Sequence, residues 1–256
     1  GDERFRREMD CEFIIFDETL INPVALFEMA GIEPAERQGQ VRWYKKPQKG
    51  CTYLVGLDPS LGTGSDPAAI QVLELPSLMQ VAEWQHNKTP VQRQVVIMKE
   101  ITSYIAETID SPNDVYYSVE NNTLGEAALV VIQEIGEENI PGIFLSEPAK
   151  VGHSRTYRRG FTTSNKSKLS VCSKFKSLIE TKKMTLASKN LISELKTFVA
   201  SGTTFKAKIG ETDDLVMAML LVVRMLQVLK DFDSSLDSRV RDTLEDFVQP
   251  MPFIMI

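Results

Sequence analysis

Acidic residues stand where predicted strands and helices of this chain begin or end. Asp58 closes the apolar, strand-like run YLVGLD, and Glu120 closes a second such run, DVYYSVE. Asp213 and Asp214 come directly before LVMAMLLVVRMLQVL, an apolar stretch with the length of a buried helix. Elements of this kind place their ends at the rim of a core, where acids from distant parts of the chain can meet.

Two of these acids become neighbours if their strands pair in parallel. Asp58 and Glu120 then lie side by side at the carboxyl ends of the strands, where crevices form in open α/β sheets. Adjacent carboxylates repel each other unless a divalent cation lies between them. Oxygen ligands without His or Cys favour Mg²⁺ or Mn²⁺ over Zn²⁺. With Asp213 or Asp214 as a third ligand, such a cluster supports two-metal hydrolysis of a phosphodiester.

Each acid also has an ordinary structural explanation. Asp58 precedes a proline, as turn-forming aspartates often do. Glu120 stands before two asparagines that can cap the next helix. An aspartate in the first turn of a helix is favoured by the helix dipole. These explanations are sufficient for single residues, but the joint placement of the acids at the ends of core elements favours a shared site.

The composition is that of a folded protein with one basic region. The chain has 256 residues, 43% hydrophobic and 25% charged, which predicts one large domain with tails. No apolar stretch is long enough to span a bilayer and the first residues are charged, so we expect a soluble, intracellular protein. The net charge is -6, yet positions 150–183 hold ten basic residues and one acid, a balance of +9. That tract is either a polyanion-binding face or a solvated helix face.

The order of the predicted elements indicates an α/β fold. Strands are predicted at 51–58, 68–75, 78–86, 114–120 and 143–147, and helices at 89–109, 122–135, 165–182, 188–200 and from 213 onwards. Three antiparallel strands followed by parallel strands that helices connect predict a mixed β-sheet flanked by helices.

This domain is expected to occupy residues 51–230. Residues 1–50 are expected to be an extension, with a helix at NPVALFEMA followed by a polar, basic linker, ERQGQVRWYKKPQKG. Residues 231–256 are expected to be a tail. Its apolar end, PMPFIMI, either packs on the core or contacts a neighbouring subunit.

Four segments in order resemble a known family. They are YLVGLDPSLGTGSDPAAIQVLE, YYSVENNTLG, GFTTSNKSKLSV and ETDDLVMAMLL. They are similar to the nuclease domain of the large terminase subunit of tailed bacteriophages, closest to the T-even type, over roughly residues 51–225. The resemblance implies a ribonuclease H-like fold and metal-bound acids that cut concatemeric double-stranded DNA during genome packaging.

The resemblance also assigns roles to the acids. Asp58 and Glu120 match the first two catalytic acids of the family, and the third falls on Asp213 or Asp214. Related resolvases carry a further ligand three residues before the third acid, where Glu211 stands, which favours Asp214. The implied cofactor is Mg²⁺ or Mn²⁺, as two ions held by these five acids.

Basic side chains are expected to hold the DNA backbone. Arg158, Arg159, Lys166, Lys168 and Lys174 lie in the basic tract and are the candidates for phosphate contacts. Such contacts carry little sequence information and weaken as salt rises.

The resemblance implies further partners. FRREMDCEF resembles the exit from the terminase ATPase domain, and no Walker A sequence precedes it, so the chain is expected to cut DNA without hydrolysing ATP. The expected partners are double-stranded DNA, the ATPase domain of the same full-length protein, the portal and the small terminase subunit, and no membrane. The expected location is the host cytoplasm, on the assembling viral procapsid.

Other functions also fit parts of the pattern. A Holliday-junction resolvase of the same broad fold would prefer branched DNA. A non-catalytic binding or coupling module would hold DNA or a motor partner without cutting. An actin-like or sugar-kinase ATPase would need further phosphate-binding glycine loops, which this sequence does not contain.

Overall fold

The computed structural model describes residues 19–122, 124–148 and 159–232, with the side chains of 231 and 232 left out. The helices are α1 (Pro23–Glu28), α2 (Val91–Ile109), α3 (Gly125–Ile135), α4 (Asn165–Glu180), α5 (Lys189–Thr197) and α6 (Asp214–Phe232). The strands are β1 (Glu36–Gln38), β2 (Val41–Trp43), β3 (Thr52–Asp58), β4 (Ala68–Leu75), β5 (Met79–His86), β6 (Val115–Val119), β7 (Ile143–Phe144), β8 (Phe198–Ser201) and β9 (Thr204–Ala207).

Seven strands form one mixed sheet in the order β1-β2-β5-β4-β3-β6-β7. The pairs from β1 to β3 are antiparallel, whereas β3, β6 and β7 run parallel. Successive strands that run parallel in one sheet need crossover connections, and α2 and α3 supply them between β5 and β6 and between β6 and β7. The predicted mixed sheet flanked by helices is therefore confirmed.

Alternation along β3 divides the core into two layers. Tyr53, Val55 and Leu57 face a cluster that contains the buried side of α2 and α3. Leu54 faces the opposite cluster, which contains α4, α5 and α6. Because successive side chains of a strand point to opposite faces, Asp58 lies on the α6 side, with Leu54.

A glycine in β3 lets α6 approach the sheet. A Cβ on Gly56 would lie 2.8 Å from Cγ2 of Val222 and 3.3 Å from the carbonyl oxygen of Ala218. Helix α6 therefore lies directly on β3 and β4, and the Leu215 carbonyl in its first turn accepts a hydrogen bond from the Gln71 amide of β4 at 3.4 Å. None of the helices in the described ranges is both long and apolar enough to cross a membrane.

The segment expected to be a polar linker instead adds two strands to the sheet. β1 and β2 form a hairpin, and β2 pairs with β5 through Arg42 opposite Glu83 and Trp43 opposite Ala82. Val41 and Trp43 are buried, and the Arg42 side chain between them forms an ion pair with Glu83 at 2.8 Å. The basic composition of the segment suggested a solvated linker. Arg42 is instead a strand residue whose charge is paired with the buried Glu83.

A second hairpin replaces the end of the predicted helix 188–200. Helix α5 ends at Thr197, and β8 turns back through Gly202, which has a φ of +61°, to pair with β9. The predicted strand at 143–147 is shorter than expected and covers only Ile143–Phe144. Both differences fall in short elements, in which the apolar pattern is too brief to fix the boundary.

Candidate metal centre

The end of β3 and the residue after β6 bring two carboxylates together. In the parallel pair, Leu57 is opposite Val119, and the backbone N–H of Glu120 donates to the Leu57 carbonyl at 3.0 Å. Glu120 is therefore the neighbour of Asp58 across the sheet. Burial and, after it, the charge and hydrogen bonding of the adjacent Glu120 carboxylate raise the pKa of Asp58.

Glu120 is buried and its backbone is held on two sides. Asn121 donates its N–H to the carbonyl of Phe161 at 2.7 Å and its side-chain amide to the carbonyl of Arg159 at 2.8 Å. On the other side, a Cβ on Gly125 would lie only 1.9 Å from the Glu120 carbonyl oxygen. Only glycine at that position lets α3 begin so close to the backbone of Glu120.

The loop after Asp58 is fixed by α2. The side-chain amide of Gln94 donates to the Ser60 carbonyl at 2.8 Å and accepts from the Ser60 N–H at 3.2 Å. Gly62 has a φ of +69° and packs against the Thr89 carbonyl, where a Cβ would lie at 2.2 Å. Sequence reasoning did not identify Gln94, because a single glutamine on a helix carries no motif.

The two adjacent aspartates at the start of α6 have different surroundings. Asp213 accepts the N–H of Ala207 on its Oδ2 at 3.2 Å, and its carbonyl accepts the Met217 N–H at 2.8 Å. It therefore joins the β8–β9 hairpin to the helix. Asp214 begins the helix, and its charge acts on Asp58 more strongly than that of Asp213 does. Asp214 is the better candidate for the third ligand.

Crowding of negative charge changes the protonation of the cluster. Burial raises the pKa of Asp58 well above its usual range, and the charges of Glu120, Asp214 and Asp213 raise it further. Burial and the charges of Glu194 and Asp213 raise the pKa of Asp214 to about 7. A divalent cation would offset this repulsion, so the oxygen donors fit such an ion. Within the described part of the chain, no three acid, His or Cys side chains are already arranged as a metal site.

Two further acids lie close to Asp214. Glu194 is a buried residue of α5 that accepts hydrogen bonds from Gln85, Thr212 and the Val216 N–H. Glu194 lies on the buried face of α5 with Leu191 and Leu195. An acid on an apolar helix face is the sequence signal that could have identified it. Asp66 is exposed on the loop after β3 and makes a smaller contribution to the raised pKa of Asp214.

Glu211 is placed differently from the other predicted ligands. It is exposed in the turn before α6, where its backbone N–H donates to the Lys208 carbonyl at 3.0 Å. Its carboxylate is not among the charges that act most strongly on Asp58 or Asp214. The structure therefore brings Asp58, Glu120, Asp214 and Asp213 together and leaves Glu211 at the margin.

Comparison with known proteins agrees with this arrangement of strands and helices. The family model of the terminase RNase H-like domain matches residues 55–226. The chain belongs to this family. The terminase resemblance seen in the four sequence segments is thus confirmed, whereas the closer likeness to the T-even type stays a prediction.

Solved structures of terminase nucleases share the fold of this terminase domain. The large terminase nuclease of the thermophilic phage G20c with bound magnesium has a TM-score of 0.59 and 18% identity, covering 81% of this chain and 97% of that one. The nuclease domain of Thermus phage P74-26 has a TM-score of 0.55 and 19% identity, covering 77% and 91%. The human cytomegalovirus terminase nuclease domain has a TM-score of 0.54 and 12% identity, covering 80% and 94%. The RNase H-like fold is confirmed.

The predicted DNA-binding residues of this terminase domain differ in exposure and in whether they already form an ion pair. Arg158 lies outside the described residues. Arg159 forms an ion pair with Glu137, and its guanidinium lies 5.0 Å from the centre of the Phe144 ring. Lys166 is exposed in the first turn of α4, which begins just after the segment that holds Glu120. Arg159 is therefore already engaged, whereas the Lys166 side chain is exposed.

The remaining two lysines also lie on α4. The Lys168 ammonium lies 5.3 Å from the centre of the Phe198 ring, and Lys174 is half-buried further along the helix. Both keep some exposed surface. Lys176 and Lys182, from the same tract, form ion pairs with Glu180 and Glu28.

Proposed function

We propose that this chain is a metal-dependent endonuclease that cuts concatemeric double-stranded viral DNA during genome packaging. One observation carries the proposal: in a terminase RNase H-like domain, Asp58 and Glu120 lie at the carboxyl ends of neighbouring parallel strands, beside Asp214 at one end of the sheet. Buried carboxylates with raised pKa values, as at Asp58 and Asp214, are typical of functional sites.

Asp58, Glu120 and Asp214 are the proposed ligands, and Mg²⁺ or Mn²⁺ is the proposed cofactor. Two such ions would activate a water molecule and stabilise the leaving oxygen of a phosphodiester. Asp213 holds the β8–β9 hairpin against α6 through the Ala207 N–H. Lys166 and other basic residues of α4 hold the DNA phosphates. The carboxylates hold the metal ions at the scissile bond.

The proposed partners follow from membership of the terminase family. They are double-stranded DNA, the ATPase domain of the same full-length protein, the portal and the small terminase subunit. The proposed location is the host cytoplasm, on the assembling procapsid.

Substitution of the three ligands tests the proposal. In Asp58→Asn, Glu120→Gln and Asp214→Asn, plasmid cleavage in Mg²⁺ or Mn²⁺ should fall by a factor on the order of 10² or more, because each variant loses a charged metal ligand. Asp213→Asn should lose less, because its Oδ1 can still accept the Ala207 N–H. Initial rates at fixed protein and ion concentration measure these effects.

Glu74→Gln is the matched control. Glu74 is at least as buried as the proposed ligands, but it lies at the end of β4 far from Asp58 and accepts hydrogen bonds from Lys45, Tyr53 and Ser77. It should cut DNA at the wild-type rate per folded molecule. Full cleavage by Asp58→Asn would contradict the proposal, as would DNA binding without any cleavage by the wild type. A strong preference for branched over linear DNA would favour the resolvase alternative.

A further inference from the structure

We infer that Glu194 is a positioning residue that fixes the first turn of α6 and thereby orients Asp214. The inference rests on the proposed function of the carboxylate cluster. Glu194 is 8% exposed, and its two carboxylate oxygens accept three hydrogen bonds. Oε2 accepts from the Val216 N–H at 3.1 Å, and Oε1 accepts from the Thr212 hydroxyl at 3.2 Å and the Gln85 amide at 2.9 Å.

These contacts hold the chain on both sides of Asp214. Thr212 precedes Asp214 by two residues and Val216 follows it by two. The Glu194 carboxylate therefore accepts hydrogen bonds from both ends of the turn that contains Asp214. The Val216 N–H is one of the helix donors that has no partner within the helix. Any rotation of this turn that moved Asp214 would break at least one of the bonds to Glu194.

Glu194 takes the place of the usual local cap. A residue at the Asp213 position normally accepts the N–H two or three residues later through its own side chain. Here the Asp213 side chain accepts from Ala207 instead, which leaves the Val216 N–H to be satisfied from another helix. The start of α6 is therefore set by α5 rather than by its own sequence.

The support behind Glu194 is rigid. Leu191 and Leu195 on the same face of α5 are fully buried. The hydroxyl of Ser188, which caps α5 at the Leu191 N–H, donates to Glu83 of β5 at 2.7 Å. Together with the bond from Gln85, this ties α5 to β5 at two points. A supporting residue anchored on regular elements can hold a functional side chain in a fixed orientation.

The three hydrogen bonds distinguish positioning from metal ligation. Their donors occupy both oxygens of Glu194 and lie on β5, on the turn before α6 and on α6 itself. Releasing Oε2 to bind a cation would leave the buried Val216 N–H unsatisfied, which is costly, and releasing Oε1 would break two hydrogen bonds. Glu194 thus acts on the site through the backbone around Asp214.

Two substitutions separate geometry from charge. Glu194→Gln removes the charge but keeps the length of the side chain. Its oxygen can accept the Val216 N–H, and its amide can donate to the Thr212 oxygen. It can also donate to Gln85 once the Gln85 amide has flipped. Glu194→Asp keeps the charge but withdraws the oxygens by one methylene. Both variants are closer in shape to the wild type than an alanine variant, which favours folding.

The readouts are Mn²⁺ binding measured by calorimetry and the split between kcat and KM for DNA cleavage. In Glu194→Asp, the half-saturating Mn²⁺ concentration should rise about tenfold or more and kcat should fall with KM for DNA unchanged, as for loss of a group that orients a ligand. Glu194→Gln should stay within about twofold of wild type. Glu74→Gln, a buried carboxylate substitution at the far end of the sheet, is again the control.

Two results would overturn the inference. One is wild-type Mn²⁺ affinity in Glu194→Asp, and the other is impairment of Glu194→Gln to the level of Glu194→Asp, which would indicate a role for the charge itself. Asp58→Asn separates this failure from that of the proposed function. If Asp58→Asn loses Mn²⁺ binding while Glu194→Asp does not, only the positioning role is wrong; if neither loses it, the metal site itself is wrong.

Discussion

Asp58 and Asp214 both have pKa values above the ordinary carboxylate range. The burial and charge repulsion that raise these values also destabilise the folded protein at neutral pH, where the two groups lose their protons. Burial is the largest cause for each, and the neighbouring acids add to it. Without a cation, the folded protein keeps protons on these groups that the unfolded chain releases. The stability that these groups contribute is therefore present at low pH and lost as pH rises through the folded pKa.

The ion-free protein should become less stable between pH 4 and pH 7. For Asp214 the pKa rises from the ordinary 3.8 to about 7, so the free energy of unfolding falls across that window by at most about 1.4 kcal/mol per pH unit. Mn²⁺ should raise the unfolding temperature more at pH 8 than at pH 5, because protons compete with the ion at low pH. Thermal unfolding with and without Mn²⁺ measures both effects. The ion-free profile of Asp214→Asn should be flatter; a profile parallel to the wild type would contradict the assignment.

Single residues were predictable from sequence where they end an apolar run. Asp58 and Glu120 fall at such ends, so their placement followed from strand pairing alone. The choice between Asp213 and Asp214 did not, because it depends on a hydrogen bond to Ala207 in a hairpin that the sequence pattern does not indicate. Glu194 was missed for a similar reason, since its partners come from β5 and α6, which are distant in the chain.

At the scale of elements, the apolar pattern was informative in proportion to its length. β3, β4 and β5 have seven or eight residues each and were located within a residue or two. The hairpins β1–β2 and β8–β9 have strands of three or four residues and were not predicted. A strand that short shows too few alternations to be separated from a loop.

Helix α6 and strand β3 should be sensitive to a single added methyl group. Gly56→Ala would place a Cβ 2.8 Å from the Val222 side chain, so the helix must shift and the free energy of unfolding should fall by about 1–3 kcal/mol. Because α6 carries Asp214, cleavage should fall too. Urea unfolding and plasmid cleavage measure the two losses.

Val222→Ala provides the matched control for this prediction. It removes the methyl group that the new Cβ would meet, so the double variant should lose less stability than the sum of the two single variants. Strict additivity would show that the contact between Gly56 and α6 is not the cause.

At the scale of the whole molecule, charge is distributed unevenly. The net charge is -6, but α4 carries lysines on the face of the sheet that also holds α6 and the carboxylates. DNA can therefore approach one face of an acidic protein. The sequence predicted this tract from its composition, although it did not indicate that Arg159, Lys176 and Lys182 are engaged in ion pairs.

Reversal of a lysine on α4 should weaken DNA binding in a salt-dependent manner. In Lys166→Glu, affinity for a duplex should fall at low salt. The negative slope of log K against log salt should become shallower by about 0.9 or more, because a phosphate contact is lost. Fluorescence anisotropy at several salt concentrations measures the slope. Lys99→Glu on α2, which packs on the opposite face, is the matched control. Equal losses in both variants would indicate a nonspecific charge effect.

The β1–β2 hairpin lies before the segment that matches the terminase family model and yet completes the sheet. If the chain were shortened at residue 50, β5 would become an open edge with a row of unpaired backbone groups. Glu83, which is fully buried, would lose both Arg42 and Tyr44. Exposed edges of this kind pair with other chains. With the hairpin in place, the edge of the sheet is instead β1, a strand of three polar residues, and short charged edges disfavour such pairing.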